Sequence, residues 1–173
     1  MKNILIKSCL FLLLFCGFAG CSDANNQLLD KLKDAVVSDE KNAQGYTVVD
    51  MVQLTDFEWE TLYVFHQNDD KNYISRELGF KWEGSAVPNL HRRLLFVNDG
   101  KVVSFVDYDF REFPLVVYGC GEDRWVYPRS RAKFATFKYC EGEDITRPFI
   151  PVACIADFKG MLGSECPEEA AAE

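Results

Sequence analysis

The seven cysteines are the side chains in this sequence that can take part in the most kinds of chemistry, including disulfide formation, metal binding and catalysis. They form two groups. The first group lies in the N-terminal stretch and comprises Cys9, Cys16 and Cys21. The second group lies in the last third of the chain and comprises Cys120, Cys140, Cys154 and Cys166. Its spacings of 20, 14 and 12 residues include no Cys-x-x-Cys pair, so a zinc site is disfavoured. If the chain is exported, as the N-terminal stretch described below indicates, the even number of these cysteines predicts two disulfides instead.

No other pattern in the sequence is typical of a catalytic centre. The two histidines are His66 and His91, and the serine-hydrolase, phosphate-loop and His-Glu-x-x-His motifs do not occur. A thiol at Cys120 would lie beside Glu122 and Asp123, and neighbouring carboxylates raise the pKa of a thiol and so disfavour a nucleophile. We therefore predict no catalytic residues, no metal site and no cofactor, and we keep an enzyme with an unidentified site as an alternative.

The N-terminus has the three parts of a secretory leader. Lys2 and Lys7 precede an apolar run from Cys9 to Cys16, and a stretch dominated by small residues then ends at Gly20. The apolar segment is short for a membrane span, which needs about 20 residues. Because the polar residues that follow include no basic stop-transfer cluster, the pattern favours a cleaved leader over a retained transmembrane helix.

The end of this leader, Ala19-Gly20-Cys21, resembles the lipobox of bacterial lipoproteins. In that family an enzyme cuts before the cysteine, and the cysteine carries lipid. Phe18 departs from the pattern, since the family usually has leucine or another aliphatic residue there. The resemblance covers the leader alone, so it implies an address and an anchor and leaves the rest of the chain to be interpreted from its own residues.

The resemblance implies a signal peptide at residues 1–20 and a lipidated tether at residues 21–27. It places the protein in the cell envelope, held to a membrane through lipid on Cys21. Ser22 resembles the sorting pattern for the outer membrane, which is therefore the expected location if the organism has one.

Charge and composition restrict the classes of partner. The sequence has 19 basic and 27 acidic residues, and two of the basic ones lie in the leader, which leaves a formal charge of −10 (17 against 27). Nucleic acid is excluded as a partner, because its phosphates require a basic surface. The 48% hydrophobic content predicts a packed fold, which we expect as a single α+β domain at residues 28–166 followed by an acidic tail at 167–173.

Two helices are predicted. The first covers Asn26 to Val37, where apolar residues recur at helical spacing along one face, at Leu28, Leu29, Leu32, Ala35 and Val36. We expect this face to pack on the domain, since the opposite face is not basic enough for a helix that lies on a membrane. The second is a short helix at about 70–78, with Gly79 as its left-handed end residue.

The remaining apolar segments predict strands at 46–54, 58–65, 92–97, 102–108, 112–119, 125–127, 133–140 and 147–156. The strand at 58–65 has apolar residues on both faces and is expected at the centre of a sheet. Asp99-Gly100 predicts a tight hairpin between the third and fourth strands. Pro148 and Pro151 are expected to keep the last strand away from the sheet centre. Short turns favour an α+β fold with a mainly antiparallel, meandering sheet of about seven strands and the two helices packed on it.

This topology also predicts the buried residues and the disulfide pairing. The expected core residues are Trp59, Tyr63, Leu95, Val97, Val103, Phe105, Val117 and Phe137. If residues 125–127 form a strand of a plain meander, the pairs are Cys120–Cys140 and Cys154–Cys166. If residues 121–132 form one long loop, Cys120 meets Cys154 instead. The first arrangement is preferred, because long structureless loops are uncommon in compact domains.

One segment stands out as a candidate binding surface. Cations and aromatic rings are concentrated at 124–133 in an otherwise acidic chain, and the proposed contact residues are Arg124, Trp125, Tyr127, Arg129 and Arg131. Arginine and aromatic residues are favoured at the centres of protein interfaces. We therefore expect a non-catalytic envelope lipoprotein that binds another macromolecule, an unidentified protein or envelope component. An inhibitor of a cationic hydrolase such as lysozyme is the narrower alternative, suggested by the acidic charge, the disulfides and the export route.

Overall fold

The computed structural model describes residues 24–38, 42–121, 124–162 and Cys166. The leader, Cys21 and the acidic tail lie outside the described residues. The helices are α1 (Asn26–Val37), α2 (Met51–Leu54) and α3 (Lys71–Leu78), with 3₁₀ helices at Arg129–Arg131 and Val152–Met161. The strands are β1 (Thr47–Asp50), β2 (Thr61–Phe65), β3 (His91–Asn98), β4 (Lys101–Asp109), β5 (Leu115–Val117), β6 (Val126–Pro128), β7 (Lys133–Thr136), β8 (Tyr139–Glu141) and β9 (Asp144–Pro151).

These described strands form two sheets. The first has the order β4-β3-β2-β6 and is antiparallel throughout. The second has the order β1-β7-β9-β5, with β8 also paired to β9, and its β5–β9 pair is parallel. The predicted α+β class, the mainly antiparallel pairing and the central position of β2 are confirmed. The plain meander expected for residues 112–140 is wrong, because β6 pairs with β2 of the first sheet, whereas β5 and β7 belong to the second.

The main core lies between the two sheets. It joins residues of the first sheet, such as Leu62 and Phe96, to residues of the second, such as Phe134 and Phe149. The apolar stripe of α1 packs into the same core through Leu28, Leu32 and Val36. The prediction that α1 packs on the domain is therefore confirmed, and the Asn25 side chain caps the helix by accepting from the Leu28 N–H.

A second core covers the outer face of the first sheet. Ile74 and Leu78 of α3 pack there on Phe65, Leu95 and Phe105, and we call this group, together with Trp82 of the 80–90 loop, the outer core. Helix α3 is the helix that was predicted at about 70–78, and its ends are as expected. The Asp70 carboxylate accepts a hydrogen bond from the Tyr73 N–H, and Gly79 has φ +76°. On the outer face of the second sheet, Ala135 and Ile150 pack with the 3₁₀ helix that begins at Val152.

The predicted strand at 46–54 ends early. Its first half forms β1, but Asp50 turns the chain into α2 by accepting a hydrogen bond from the Val52 N–H at 3.0 Å. This local side-chain bond competes with the strand ladder and favours a helical turn. The β-branched composition alone did not reveal it.

The β3–β4 hairpin is confirmed, with Asp99 and Gly100 both at positive φ. The prediction that Val103 is buried is wrong, since its side chain is 42% exposed. Phe96 pairs with Ser104, whereas Val97 pairs with Val102, so Val103 is an extra residue at a β-bulge. The other predicted core residues are buried, except Tyr63, which is half-buried.

The predicted effect of the two prolines on β9 is also wrong. This strand lies inside its sheet, between β7 on one side and β5 on the other. On one side, β9 pairs with β7 up to Thr136 and with β8 from Tyr139 onward. Pro148 of β9 lies opposite the gap between these two partner strands. Because proline has no N–H to donate, it breaks the ladder at this point without moving the strand to the edge.

Two disulfides are present as predicted, but the preferred pairing is wrong. The pairs are Cys120–Cys154, with Cα atoms 6.2 Å apart, and Cys140–Cys166, with Cα atoms 5.2 Å apart. The cause is the parallel pairing of β5 with β9, because parallel strands end at the same edge of a sheet. The segments after these two strands carry Cys120 and Cys154, which therefore meet.

Candidate binding surface

Trp125 has an unusual backbone and an exposed ring. Its φ is +67°, a value that is rare for a bulky residue and costs conformational energy. The Val64 N–H donates to the Trp125 carbonyl at 2.8 Å, which fixes this conformation beside β2. The residue remains 38% exposed. The fold thus holds a strained residue in place and presents its indole ring to solvent.

His66 supports the indole from the end of β2. The two rings meet edge to face, with centroids 5.0 Å apart. The His66 backbone N–H donates to the Asp69 carboxylate at 2.8 Å, which fixes the turn after the strand. Burial lowers the pKa of His66 below its ordinary 6.5, and Arg92 lowers it further, while Asp69 acts in the opposite direction. The imidazole is therefore mainly neutral at pH 7.

A small depression of about 130 Å³ borders Trp125. Its walls include Tyr63 of β2 and both Tyr73 and Glu77 of α3. Burial raises the pKa of Tyr63 and of Tyr73, and the Glu77 carboxylate raises both further. Both phenols therefore keep their protons at neutral pH and are able to donate hydrogen bonds.

A larger, open depression of about 400 Å³ also borders Trp125. Its walls include residues 119–121, together with Asp157 and Phe158 of the second 3₁₀ helix. The Cys120–Cys154 disulfide ties these two walls together. Arg124 and Trp125 line both depressions, so the two form one surface, which we call the Trp125 cleft.

The structure separates the five residues that were proposed for binding. Arg124 and Trp125 lie in the Trp125 cleft, as described above. Tyr127 is a correction, because it is buried in the main core, where its hydroxyl donates to the Tyr118 carbonyl at 2.9 Å. A direct contact between Tyr127 and a partner is therefore excluded in this fold.

Arg129 and Arg131 lie in the 3₁₀ helix beyond β6, outside the cleft lining. Arg129 donates to the Glu58 carboxylate at 2.6 Å, and its guanidinium lies 5.6 Å from the centre of the Trp59 ring. These contacts give Arg129 a structural role that the sequence did not indicate. Arg131 is exposed, and its proposed binding role stays a prediction.

Sequence reasoning missed most of the cleft. Its further members come from four separate parts of the chain, and they include His66, Asp69, Tyr73, Glu77, Asp157 and Phe158. The segment at 124–133 gave the one local signal, because it concentrates cations and aromatic rings. The other residues are ordinary in their own sequence context, and the fold alone brings them together.

The cleft offers contact chemistry: aromatic faces, phenol donors, a guanidinium and several carboxylates. Its described lining contains no serine, threonine or lysine, and Cys120 is held in a disulfide. The Asp69 carboxylate bonds the backbone of His66, while the imidazole contacts Trp125. Covalent catalysis by a serine, threonine, lysine or free thiol therefore has no candidate residue in the described lining.

The described residues also show no metal or membrane-spanning features. Within 24–38, 42–121, 124–162 and Cys166, no group of three or more histidine, cysteine or carboxylate side chains is placed to hold a metal ion. No helix in these same ranges combines the length and the apolar character needed to cross a membrane. No protein-family model, curated protein or solved structure matches this chain.

Proposed function

We propose that this protein is a lipid-anchored lipoprotein of the bacterial cell envelope whose non-catalytic domain binds another macromolecule through the Trp125 cleft. The anchor is lipid on Cys21, and the membrane is the outer membrane if the organism has one. The observation that carries the binding role is Trp125 itself, a bulky residue that is held at φ +67° and is 38% exposed. Backbone strain of this kind is concentrated at functional sites, where the surrounding structure maintains it.

The surroundings of Trp125 support a macromolecular partner. The larger depression is open to solvent, and the two share Arg124 and Trp125, so together they present an extended surface rather than one enclosed cavity for a small molecule. Tryptophan and arginine are the residues that most often dominate the binding energy of protein interfaces. Here Arg124 and Trp125 lie at the centre of the surface, with Tyr63, Tyr73 and Phe158 around them.

Site-specific photo-crosslinking in cells tests this proposal. A photoreactive phenylalanine analogue at position 125 of the full chain should give a discrete adduct with another macromolecule. Ile145 provides the matched control, since it is an apolar residue with the same 38% exposure but lies at the start of β9, outside the cleft lining. The same adduct at both positions, or none at position 125, would contradict the proposal.

A cationic hydrolase remains a second candidate partner. It is favoured by the carboxylates of Asp69, Glu77 and Asp157 at the cleft and by the formal charge of −10 (17 basic against 27 acidic residues) that remains without the leader. Addition of the purified protein to a lysozyme assay examines this candidate. Dose-dependent inhibition that Trp125→Ala removes would support it, whereas unchanged lysozyme activity at saturating protein would exclude lysozyme as the partner.

A further inference from the structure

The chain enters the fold at one edge of the first sheet. Ala24 packs against the outer core, and the Asn25 N–H donates to the Phe105 carbonyl of β4 at 2.7 Å. The Asn25 side-chain amide also donates to the Ser104 hydroxyl at 3.2 Å. The same side chain caps α1 through the Leu28 N–H. The N-terminal chain is thus fixed to β4 from Ala24 and Asn25 onward.

This attachment lies close to the proposed lipid in sequence. Four peptide units separate Cys21 from Asn25, and a fully extended chain spans at most about 3.5 Å per residue. The lipid-bearing residue therefore lies within about 14 Å of the attachment point on β4, whatever the conformation of the chain between them. A tether of this length keeps the β4 edge beside the bilayer surface.

The Trp125 cleft lies at the opposite edge of the same sheet. Pairing across the sheet aligns Phe105 with Leu95, Leu95 with Tyr63, and Tyr63 with Val126. Val126 directly follows Trp125. Because neighbouring strands lie about 4.8 Å apart, the tether contact and the cleft are separated by three spacings, or about 14 Å along the sheet.

From this geometry we infer that the domain stands on its anchoring membrane with the β4 edge toward the lipid headgroups and the Trp125 cleft facing away. The inference rests on the proposed lipid anchor and deepens the proposed binding role. The macromolecule that fits the cleft is one in the aqueous space beyond the anchoring membrane, rather than a neighbour embedded beside the lipid. The surface that meets the bilayer is the β4 edge, including the exposed Val103.

The charges near the tether are compatible with this orientation. Helix α1 packs on β4. Its polar face carries Asp30 and Asp34 together with Lys31 and Lys33, so this face has no net charge. On β4, Lys101 adds one positive charge, while the carboxylates of Asp107 and Asp109 are paired with Arg93 and Arg111. The charges at this edge are therefore close to balanced in an otherwise acidic chain, which keeps repulsion from anionic headgroups small.

Quenching by labelled lipid tests the orientation in the full lipidated chain. Val103→Cys places a fluorophore at the β4 edge, and Ser130→Cys places one on the exposed turn beyond β6. The introduced thiol is available for labelling, because the four native cysteines of the fold are paired and lipid would occupy Cys21. In phosphatidylcholine vesicles that contain a headgroup quencher, we expect quenching at position 103 to be several-fold stronger than at position 130.

Acyl labelling of the same samples separates this inference from the proposed function. A protein that carries no acyl label overturns the anchor and the orientation together. An acylated protein with equal quenching at both positions, or with stronger quenching at 130, overturns the orientation and leaves the anchor standing.

A longer tether provides the mechanistic control. Insertion of 20 Gly/Ser residues before Ala24 gives a mean reach of about 25 Å, so the several-fold difference between the two positions should disappear. If the difference persists, the β4 edge binds lipid by itself and the short tether is not its cause.

Discussion

Asp107→Asn should destabilise the fold strongly, because it breaks a buried ion pair. The Arg93 side chain is completely buried in the first sheet, and its guanidinium donates to both oxygens of Asp107 at 2.7 Å. It also donates to the carbonyl and the hydroxyl of Ser85 and lies 4.5 Å from the centre of the Phe105 ring. Replacement by asparagine keeps the shape of the side chain at position 107 but removes the charge that compensates the guanidinium.

The expected cost follows from the burial of Arg93. Removal of one partner from a buried ion pair costs about 3–5 kcal/mol, since the other charge remains buried and uncompensated. We expect a value near the lower end, about 3 kcal/mol, because the asparagine oxygen and Ser85 still accept hydrogen bonds. With a urea m-value of about 2–3 kcal/mol/M, the unfolding midpoint should fall by about 1–1.5 M.

Urea unfolding at pH 7 with intact disulfides measures this change. Asp109→Asn is the matched control, because Asp109 lies two residues along the same strand with 12% side-chain exposure, against 15% for Asp107. Its partner Arg111 is 62% exposed, however, so solvent compensates that cation after the substitution. A change below about 1 kcal/mol for Asp107→Asn, or equal changes for the two variants, would refute the reasoning.

Three further predictions concern the core, the anchor and the cleft. Phe105→Ala should lower the free energy of unfolding by about 3–5 kcal/mol, while Val103→Ala at the exposed bulge should change it by less than about 1 kcal/mol; similar values in denaturant unfolding would contradict the assigned faces. Cys21→Ser should abolish acyl labelling and leave an unprocessed precursor, and normal processing of that variant would refute the anchor. Stability should fall as pH drops from 6.5 through the lowered pKa of His66, because the unfolded state binds the proton more readily; His66→Gln should flatten this part of the pH–stability curve, and an unchanged slope would contradict the assignment.

Local signals in the sequence predicted the local structure well. Asp70 and Gly79 mark the ends of α3, and Asp99-Gly100 marks the hairpin, because each acts on backbone atoms within a few residues. The spacing of Leu28, Leu32 and Val36 likewise predicted the buried face of α1. These features depend on chemistry that is contained within a single segment.

The arrangement of the strands depended on distant partners and was harder to predict. Residues 126–128 do form the short strand that was expected, but they pair with β2 of the other sheet, and no nearby residue signals that choice. The parallel pairing of β5 with β9 was equally hard to predict from nearby residues. This pairing determined which cysteine meets Cys120. Periodicity indicates which face of a strand is buried, but it does not name the strand beside it.

The cleft shows the same limit for function. Trp125 was identified because its segment is rich in cations and aromatic rings. Its positive φ and its contact with His66, however, arise from pairing between β6 and the end of β2. Tyr127, two residues later, has a similar side chain in the same segment but faces the core. Residues two apart share a face in a regular strand, so alternation would place these two side chains together. The positive φ of Trp125, which precedes β6, breaks the extended backbone and separates them.

The affinity of Trp125→Ala for the macromolecule crosslinked at position 125 is the most direct test of the binding role. The equilibrium dissociation constant should be measured for the wild-type protein, for Trp125→Ala and for Ile145→Ala, which removes an equally exposed side chain outside the cleft lining. If Trp125 is a central contact, its loss should cost at least about 2 kcal/mol, or roughly a 30-fold weaker affinity, while Ile145→Ala should bind like the wild type. Equal affinities for all three folded proteins would contradict the assignment of the Trp125 cleft as the binding surface.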